Sequence, residues 1–234
     1  MSDVRPDRVH GSRLALSFAA GLVDLFTPAL ISILGLTVLL NLALLLALWL
    51  GLGYALRETT FFSTGWLEWI ADVASGFGLV VLTLILFPVL ATMILGMFLD
   101  AAAGRVARRR YRWLGEGRSQ PFGEMLAETV RFLVVVIMLN LLVLPIYLLV
   151  PAVNLAVFYL LNGYLFGREY FELVAIRWLP VREVRRLRAR HRFAIFTAGV
   201  LIAIGMSIPF LNLLVPLWGV AMMVHVYAGL HPQV

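Results

Sequence analysis

Two short stretches decide how this sequence folds: Val150-Pro151-Ala152-Val153-Asn154-Leu155 and Ile208-Pro209-Phe210-Leu211-Asn212-Leu213. Each sits in the middle of a long uncharged run, and the two prolines are 58 residues apart. Proline breaks a helix because it has no N–H and its ring meets the carbonyl of residue i−4. Hydrocarbon offers no partner for the freed backbone groups, so such a break must be enclosed by protein or face water. Two matching breaks imply two matching helical hairpins, and paired Gly/Pro interruptions in apolar segments point to a transport pathway.

The surrounding composition sets the phase in which these breaks sit. Hydrophobic residues make up 62% of the chain and charged residues 14%, with a mean hydropathy of +0.95. A soluble domain is closer to half apolar and a quarter charged. Leu25–Leu56, Val73–Leu99, Phe132–Gly167 and Phe193–Val234 carry no Asp, Glu, Lys or Arg, and each exceeds the ~20 residues that cross a bilayer. The sequence therefore predicts an all-α integral membrane protein of a single domain, residues 1–234. An interfacial helix is expected over 11–26, with polar positions Arg13, Ser17 and Asp24 roughly on one face. Long transmembrane helices are expected over 29–56, opened by Thr27-Pro28, and over 73–104, with Pro88 as a kink. Trp66 and Trp69 suit a membrane boundary. Gly115–Pro121 reads as a loop and Phe122–Arg131 as a short helix. The apolar run behind the N-terminal arginines is too long for a signal peptide.

Helical hairpins follow over 132–167 and 193–227. Their four legs hold 19, 16, 16 and 18 residues, so at 1.5 Å per residue they are ~24–29 Å long, slightly short of a ~30 Å hydrocarbon core. The tips carry no charge and few turn-forming residues. They read as re-entrant hairpins entering from one side, with four short spans as the alternative.

All 19 basic residues are Arg. Six fall in Arg105–Arg118 and seven in Arg177–Arg192, whereas Arg57–Asp72 holds one Arg against Glu58, Glu68 and Asp72. The positive-inside rule places the N-terminus and both clusters in the cytoplasm. A formal net charge of +6 suggests nucleic acid in a soluble chain. Here it reads as topology and contact with anionic lipid headgroups at Arg105–Arg118 and Arg177–Arg192, with no nucleic-acid partner. Cys is absent. The four histidines have no metal-ligand spacing, and no Walker loop, dinucleotide fingerprint or Gly-x-Ser-x-Gly occurs. The expectation is a non-enzyme with no metal and no cofactor.

The stretches Gly167-Arg168-Glu169-Tyr170-Phe171-Glu172-Leu173, Ile208-Pro209-Phe210-Leu211-Asn212-Leu213-Leu214-Val215-Pro216-Leu217 with Ala221 and His225, and Phe87-Pro88 with Phe98-Leu99-Asp100-Ala101 resemble the CysZ family, part of the wider etoposide-induced protein 2.4 group. The resemblance spans nearly the whole chain, roughly 12 to 230. It implies a bacterial inner-membrane permease or channel for sulfate or a related oxyanion, serving sulfur assimilation and cysteine synthesis as a homo-oligomer. Other relatives in the wider group suggest a non-transporting membrane scaffold or membrane-shaping protein instead. One departure matters. The family's Pro is usually followed by a Gly-hydrophobic-Arg signature associated with sulfate, whereas this chain reads Pro28-Ala29-Leu30-Ile31-Ser32.

Candidate substrate contacts are therefore the hydroxyls of Thr27 and Ser32 beside a helix start, with Asn154 and Asn212 at the hairpin tips. The two Asn residues alternatively cap the helices behind them. Glu169 and Glu172, near Arg168 and Arg177, are candidates for gating or proton coupling, or for interhelical salt bridges. His225 is either a buried structural His or part of a proton relay. Asp100 is expected to pair with an Arg, and Asp24 to contact headgroups. Gly199 and Ala203 form a small-xxx-small pair suited to helix packing.

Overall fold

The computed structural model describes residues 10–57, 65–118, 122–209 and 211–230, and every regular element among them is helical. In order these are α1 (His10–Leu25), α2 (Pro28–Arg57), α3 (Gly65–Arg110), α4 (Phe122–Leu149), α5 (Asn154–Ala175), α6 (Val181–Arg190), α7 (Arg192–Met206) and α8 (Val215–Leu230). Short 3-10 turns occupy Arg112–Leu114, Pro151–Val153 and Leu211–Leu213. Phe210 and the side chains of Arg13, Trp66 and Trp69 lie outside the described residues.

Both proline phrases separate two helices, and each break is repaired differently. Pro151 cannot give the N–H that would close a helical bond on the Tyr147 carbonyl four residues back. The Asn154 side chain supplies it instead, Nδ2 donating to Tyr147 O at 3.1 Å. Asn154 is thus the first residue of α5 and a brace across the tip, and it does not cap the helix behind it. At the second break Pro209 leaves the Gly205 carbonyl without its i+4 donor, and Ile208 N takes it at 3.1 Å by tightening to 3-10 geometry. Asn212 sits exposed in the 3-10 turn ahead of α8. It likewise does not cap that helix, which starts three residues later.

The two hairpins differ in length. Phe122–Arg131 and the leg expected after it form one 28-residue helix, α4, because nothing between Arg131 and Phe132 breaks the helical period. α5 continues past Gly167 to Ala175, 22 residues in all. At 1.5 Å per residue α4 and α5 are about 42 and 33 Å long. The 15 residues of α7 and 16 of α8 reach only about 23 Å. Among the described residues, two helices are long and apolar enough to cross a membrane, over Pro28–Gly51 and Val130–Leu149. α7 meets the Arg-rich α6 at a bend of 90°.

The chain divides into two compact units, Met1–Leu30 with Leu99–Val234, and Ile31–Phe98. In the first, α8 is the centre: every residue from Val215 to Ala228 is buried, among α1, α5 and α7. A helix apolar on all sides belongs there. α5 and α7 cross backbone to backbone. A Cβ on Gly199 would stand 2.0 Å from the Gly163 carbonyl oxygen and 2.4 Å from Gly167 N, so only Gly fits. α1 meets α8 in the same way, with Gly21 against the Met222 backbone and Phe18 edge-on to Trp218, centroids 5.0 Å apart.

That packing inverts the expected helix. The polar positions Ser17 and Asp24 are buried against α8, while Leu16, Val23 and Phe26 are exposed. The headgroup role expected of Asp24 is thereby overturned: at 1% exposure it finds its partners inside the protein.

In the second unit, α2 and α3 run antiparallel. Trp49 Nε1 donates to Thr83 Oγ1 at 2.6 Å, and Asn41 Nδ2 donates to Phe87 O at 3.0 Å, beside Pro88. Thr37 and Asn41, one turn apart, are both fully buried. The Trp49 and Asn41 bonds between the two helices fix the register of two otherwise apolar surfaces.

Candidate functional site

The polar chemistry of the first unit gathers where α3 and α5 end and α6 and α7 begin. Its deepest member is Asp24 at the last turn of α1. Arg110, from the end of α3, meets it with Nη2 at 2.8 Å and Nε at 2.9 Å. His225 of α8 meets it with Nε2 at 2.9 Å, and the other ring nitrogen, Nδ1, lies 2.7 Å from the Tyr111 hydroxyl. An ionised carboxylate only accepts, so Nε2 carries the ring proton. Nδ1 then accepts from Tyr111. This chain of four side chains ties α1, the end of α3 and α8 together with each hydrogen-bond role filled. Burial pushes the Tyr111 phenol above its ordinary 10.0; the charge on Asp24 adds to the shift and Arg110 opposes it.

A second lattice surrounds α6. Arg168 is buried, at 4% exposure. It bonds Glu172 one turn on at 3.3 Å and lies over the Phe132 ring at 5.4 Å. Glu172 also takes Arg188 of α6 at 3.1 Å, and Arg185 of α6 reaches Glu128 of α4. α6 is thereby bound to both legs of the first hairpin. In the turn after α5, Arg177 donates to the carboxylate and the backbone carbonyl of Asp100, the Arg partner expected for that residue. Near the start of α2, Thr27 is buried and its hydroxyl donates to the Asp24 carbonyl at 2.7 Å. Arg105 donates to the Ala29 carbonyl at 2.7 Å.

The candidate residues therefore do not form one cluster. Glu172, Arg168 and the Arg177 turn lie at the Arg-rich end, and His225 is joined to Asp24. Asn154 and Asn212 sit at the tips, Ser32 is exposed on α2, and Glu169 is exposed on α5. Tyr111 is a contributor that sequence reasoning missed, and sequence alone reads Asp24, Arg105 and Arg110 only as headgroup contacts. Asp24 and His225 are 201 residues apart, and no local spacing links them. A lone acid on an apolar helix was the one available signal.

Residues 17–216 match the family described as sulfate transporter CysZ/etoposide-induced protein 2.4. The chain belongs to that family. No curated protein matches it. The CysZ/etoposide-induced protein 2.4 match takes in both proline phrases, the Asp24 and Arg105 contacts and the α6 lattice, and stops at Pro216, ahead of His225. Family and apolar helices together make this a membrane protein of sulfate-transporter-like kind.

Proposed function

We propose that this protein is a CysZ-type permease or channel for sulfate or a related small oxyanion, multi-pass in the bacterial inner membrane, serving sulfur assimilation and cysteine synthesis. Its N-terminus and Arg clusters face the cytoplasm, it works as a homo-oligomer, and it carries out no catalysis. The observation that carries the proposal is Arg105. The signature Arg after Pro28 is missing from the sequence, yet a guanidinium from α3 bonds the carbonyl one residue past Pro28, at 2.7 Å. Guanidinium forks match oxyanions well, and a helix start adds partial positive charge. The Thr27 hydroxyl expected to help is taken by the Asp24 carbonyl, and Asn154 and Asn212 offer polar groups at the tips.

Other features support parts of this reading. The apolar stretch of α4 has no buried residue within the chain, as suits a helix facing lipid or a second copy. Headgroup contact suits the right-angled, Arg-rich α6. Glu172 is already held by two arginines, so Glu169 is the carboxylate assigned to proton coupling. An unchanged pH profile of uptake in Glu169→Gln would remove it from that role.

Labelled sulfate uptake into proteoliposomes tests the whole. Flux above protein-free vesicles, reduced in Arg105→Gln and ranked against sulfite, thiosulfate and phosphate as competitors, is the expected result. No flux from well-folded protein favours the membrane-scaffold alternative.

A further inference from the structure

α4 carries polar chemistry on its outside. Its apolar stretch, Val130–Leu149, holds no residue buried within the chain, and one amide side chain interrupts it, that of Asn140. Asn140 lies ten residues from one end of the stretch and nine from the other. It is therefore about 15 Å from each end, in the middle of a ~30 Å hydrocarbon core. The residue is exposed. Its Nδ2 donates to the Val136 carbonyl one turn back in the same helix, at 2.8 Å. One amide N–H and the amide oxygen are left over among the described residues. The backbone beside it adds an acceptor. Pro145 stands inside α4 and has no N–H, so the Leu141 carbonyl four residues back lacks its helical donor. Leu141, Leu144 and Pro145 are all exposed.

Asn41 provides the contrast. It is fully buried on α2, and its Nδ2 bridges to Phe87 O of α3, so that amide already has a partner helix. α5 instead repeats the pattern of α4. Asn162 is half-buried, and its Nδ2 likewise turns back on its own helix, to Phe158 O at 2.9 Å. Asn140 is ten residues before Val150, and Asn162 is eight residues after Asn154. The two amides thus stand about 15 and 12 Å from the hairpin tip, at nearly one depth.

Acyl chains offer neither donor nor acceptor, whereas polar side chains within spans hydrogen-bond across to another helix. The need here is self-complementary: each copy carries spare amide N–H groups and a spare carbonyl at one depth. A second copy supplies both and, by symmetry, receives both. We infer that the outer face of the first hairpin, centred on Asn140 with Asn162 and the Leu141 carbonyl, is the surface on which a second copy of this chain docks. Amide hydrogen bonds at mid-membrane join the two. The inference rests on the homo-oligomer of the proposed function and names its contact; it does not rest on transport. Ile137 and Leu144, three before and four after Asn140, share its face and pack around the bonds. Leu142 lies about 200° round the helix from Asn140 and stays outside the contact.

Association is measured by energy transfer between copies diluted in phosphatidylcholine vesicles and labelled at a single Cys in place of the exposed Arg112. Asn140→Leu should weaken it by about tenfold, the scale of two symmetry-related interhelical bonds in a membrane. Asn140→Gln, which keeps the amide, should retain most of it. The melting midpoint of Asn140→Leu in detergent should match wild type, because the side chain bonds only to its own helix. The chain has no Cys, so introduced cysteines report contacts cleanly. Ile137→Cys should cross-link to itself where the copies share an orientation, and to Leu144→Cys where they are opposed; Leu142→Cys should do neither. Association unchanged by Asn140→Leu, or cross-linking at Leu142 as fast as at Ile137 and Leu144, overturns the inference and leaves a homo-oligomer built elsewhere. A monomeric wild type in vesicles gives the face to lipid and overturns both. Absence of flux from a protein whose association still depends on Asn140 removes the permease alone.

Discussion

Gly199→Ala is the smallest change that tests the core. The added Cβ would lie 2.0 Å from Gly163 O, 2.4 Å from Gly167 N and 2.6 Å from Gly167 Cα. All three are backbone atoms of α5, so no rotamer relieves the overlap. Interiors are packed too tightly to absorb it, and α5 and α7 must part by about 1 Å or more. Overpacking costs about 1–3 kcal/mol, and a clash with backbone belongs at the upper end. At about 2–4 °C per kcal/mol for a chain of this size, the midpoint of thermal unfolding in detergent should fall by roughly 5–10 °C.

Two other glycines calibrate the experiment. At Gly205 a Cβ meets the Val215 side chain at 2.8 Å, which can yield, so Gly205→Ala should cost less. At Gly51 nothing among the described residues lies within 4 Å, and Gly→Ala there should be neutral or stabilising by up to about 1 kcal/mol, because glycine disfavours helix interiors. A Gly199→Ala protein as stable as wild type, or a Gly51→Ala protein equally damaged, would refute the backbone-contact account.

Asp24→Ala strands the buried His225 Nε2–H, and chemical or thermal unfolding should register a loss of about 1–3 kcal/mol; an unchanged midpoint would deny the Asp24 network a structural role. Asn154→Leu leaves the Tyr147 carbonyl unmatched at the tip, costing about 0.6–1 kcal/mol, while Asn212→Leu should be nearly silent in the same melt; equal effects would mean that the two tips are built alike. Because the chain has no Cys, spin labels can be attached to single introduced cysteines. Labels at Leu16, Val23 and Phe26 should be quenched by dissolved oxygen more than by a water-soluble nickel reagent, and the reverse order would put that face of α1 in water.

Local chemistry was legible in the sequence where it is set within one turn or by one residue type. Pro28 opens α2, and Pro151 and Pro209 break helices, because a missing N–H acts on its own neighbours. Family membership was legible as well, through residues spread over both hairpins. Residues such as Arg131 and Gly167 misled on boundaries, since neither a charge nor a lone glycine stops a helix when packing carries it on. The contacts of Asp24, Arg110, Tyr111 and His225 were not legible at all, because they are made only when α1, α3 and α8 converge. The glycine pattern lay between these cases. Gly199 stood out as a small residue, but its partners proved to be Gly163 and Gly167 on α5, and Ala203 is buried.

The inversion of α1 explains why the Asp24 network exists. An isolated amphipathic helix keeps its acid toward headgroups and water. Here α8 presents His225 from a helix that is otherwise apolar and fully enclosed, and a buried imidazole needs a partner for each nitrogen. Asp24 fills one and Tyr111 the other, while Arg110 balances the carboxylate. Turning Asp24 inward necessarily turns Leu16, Val23 and Phe26 outward, since residues seven and three apart share a helical face. The helix read from sequence as interfacial is also a strut within its unit, sealed to α8 by Gly21 and clamped to the end of α3 by one ion pair. The start of α2, where Arg105 bonds Ala29, follows directly from that strut, so the position of the proposed anion contact is set by a network whose members lie at opposite ends of the chain.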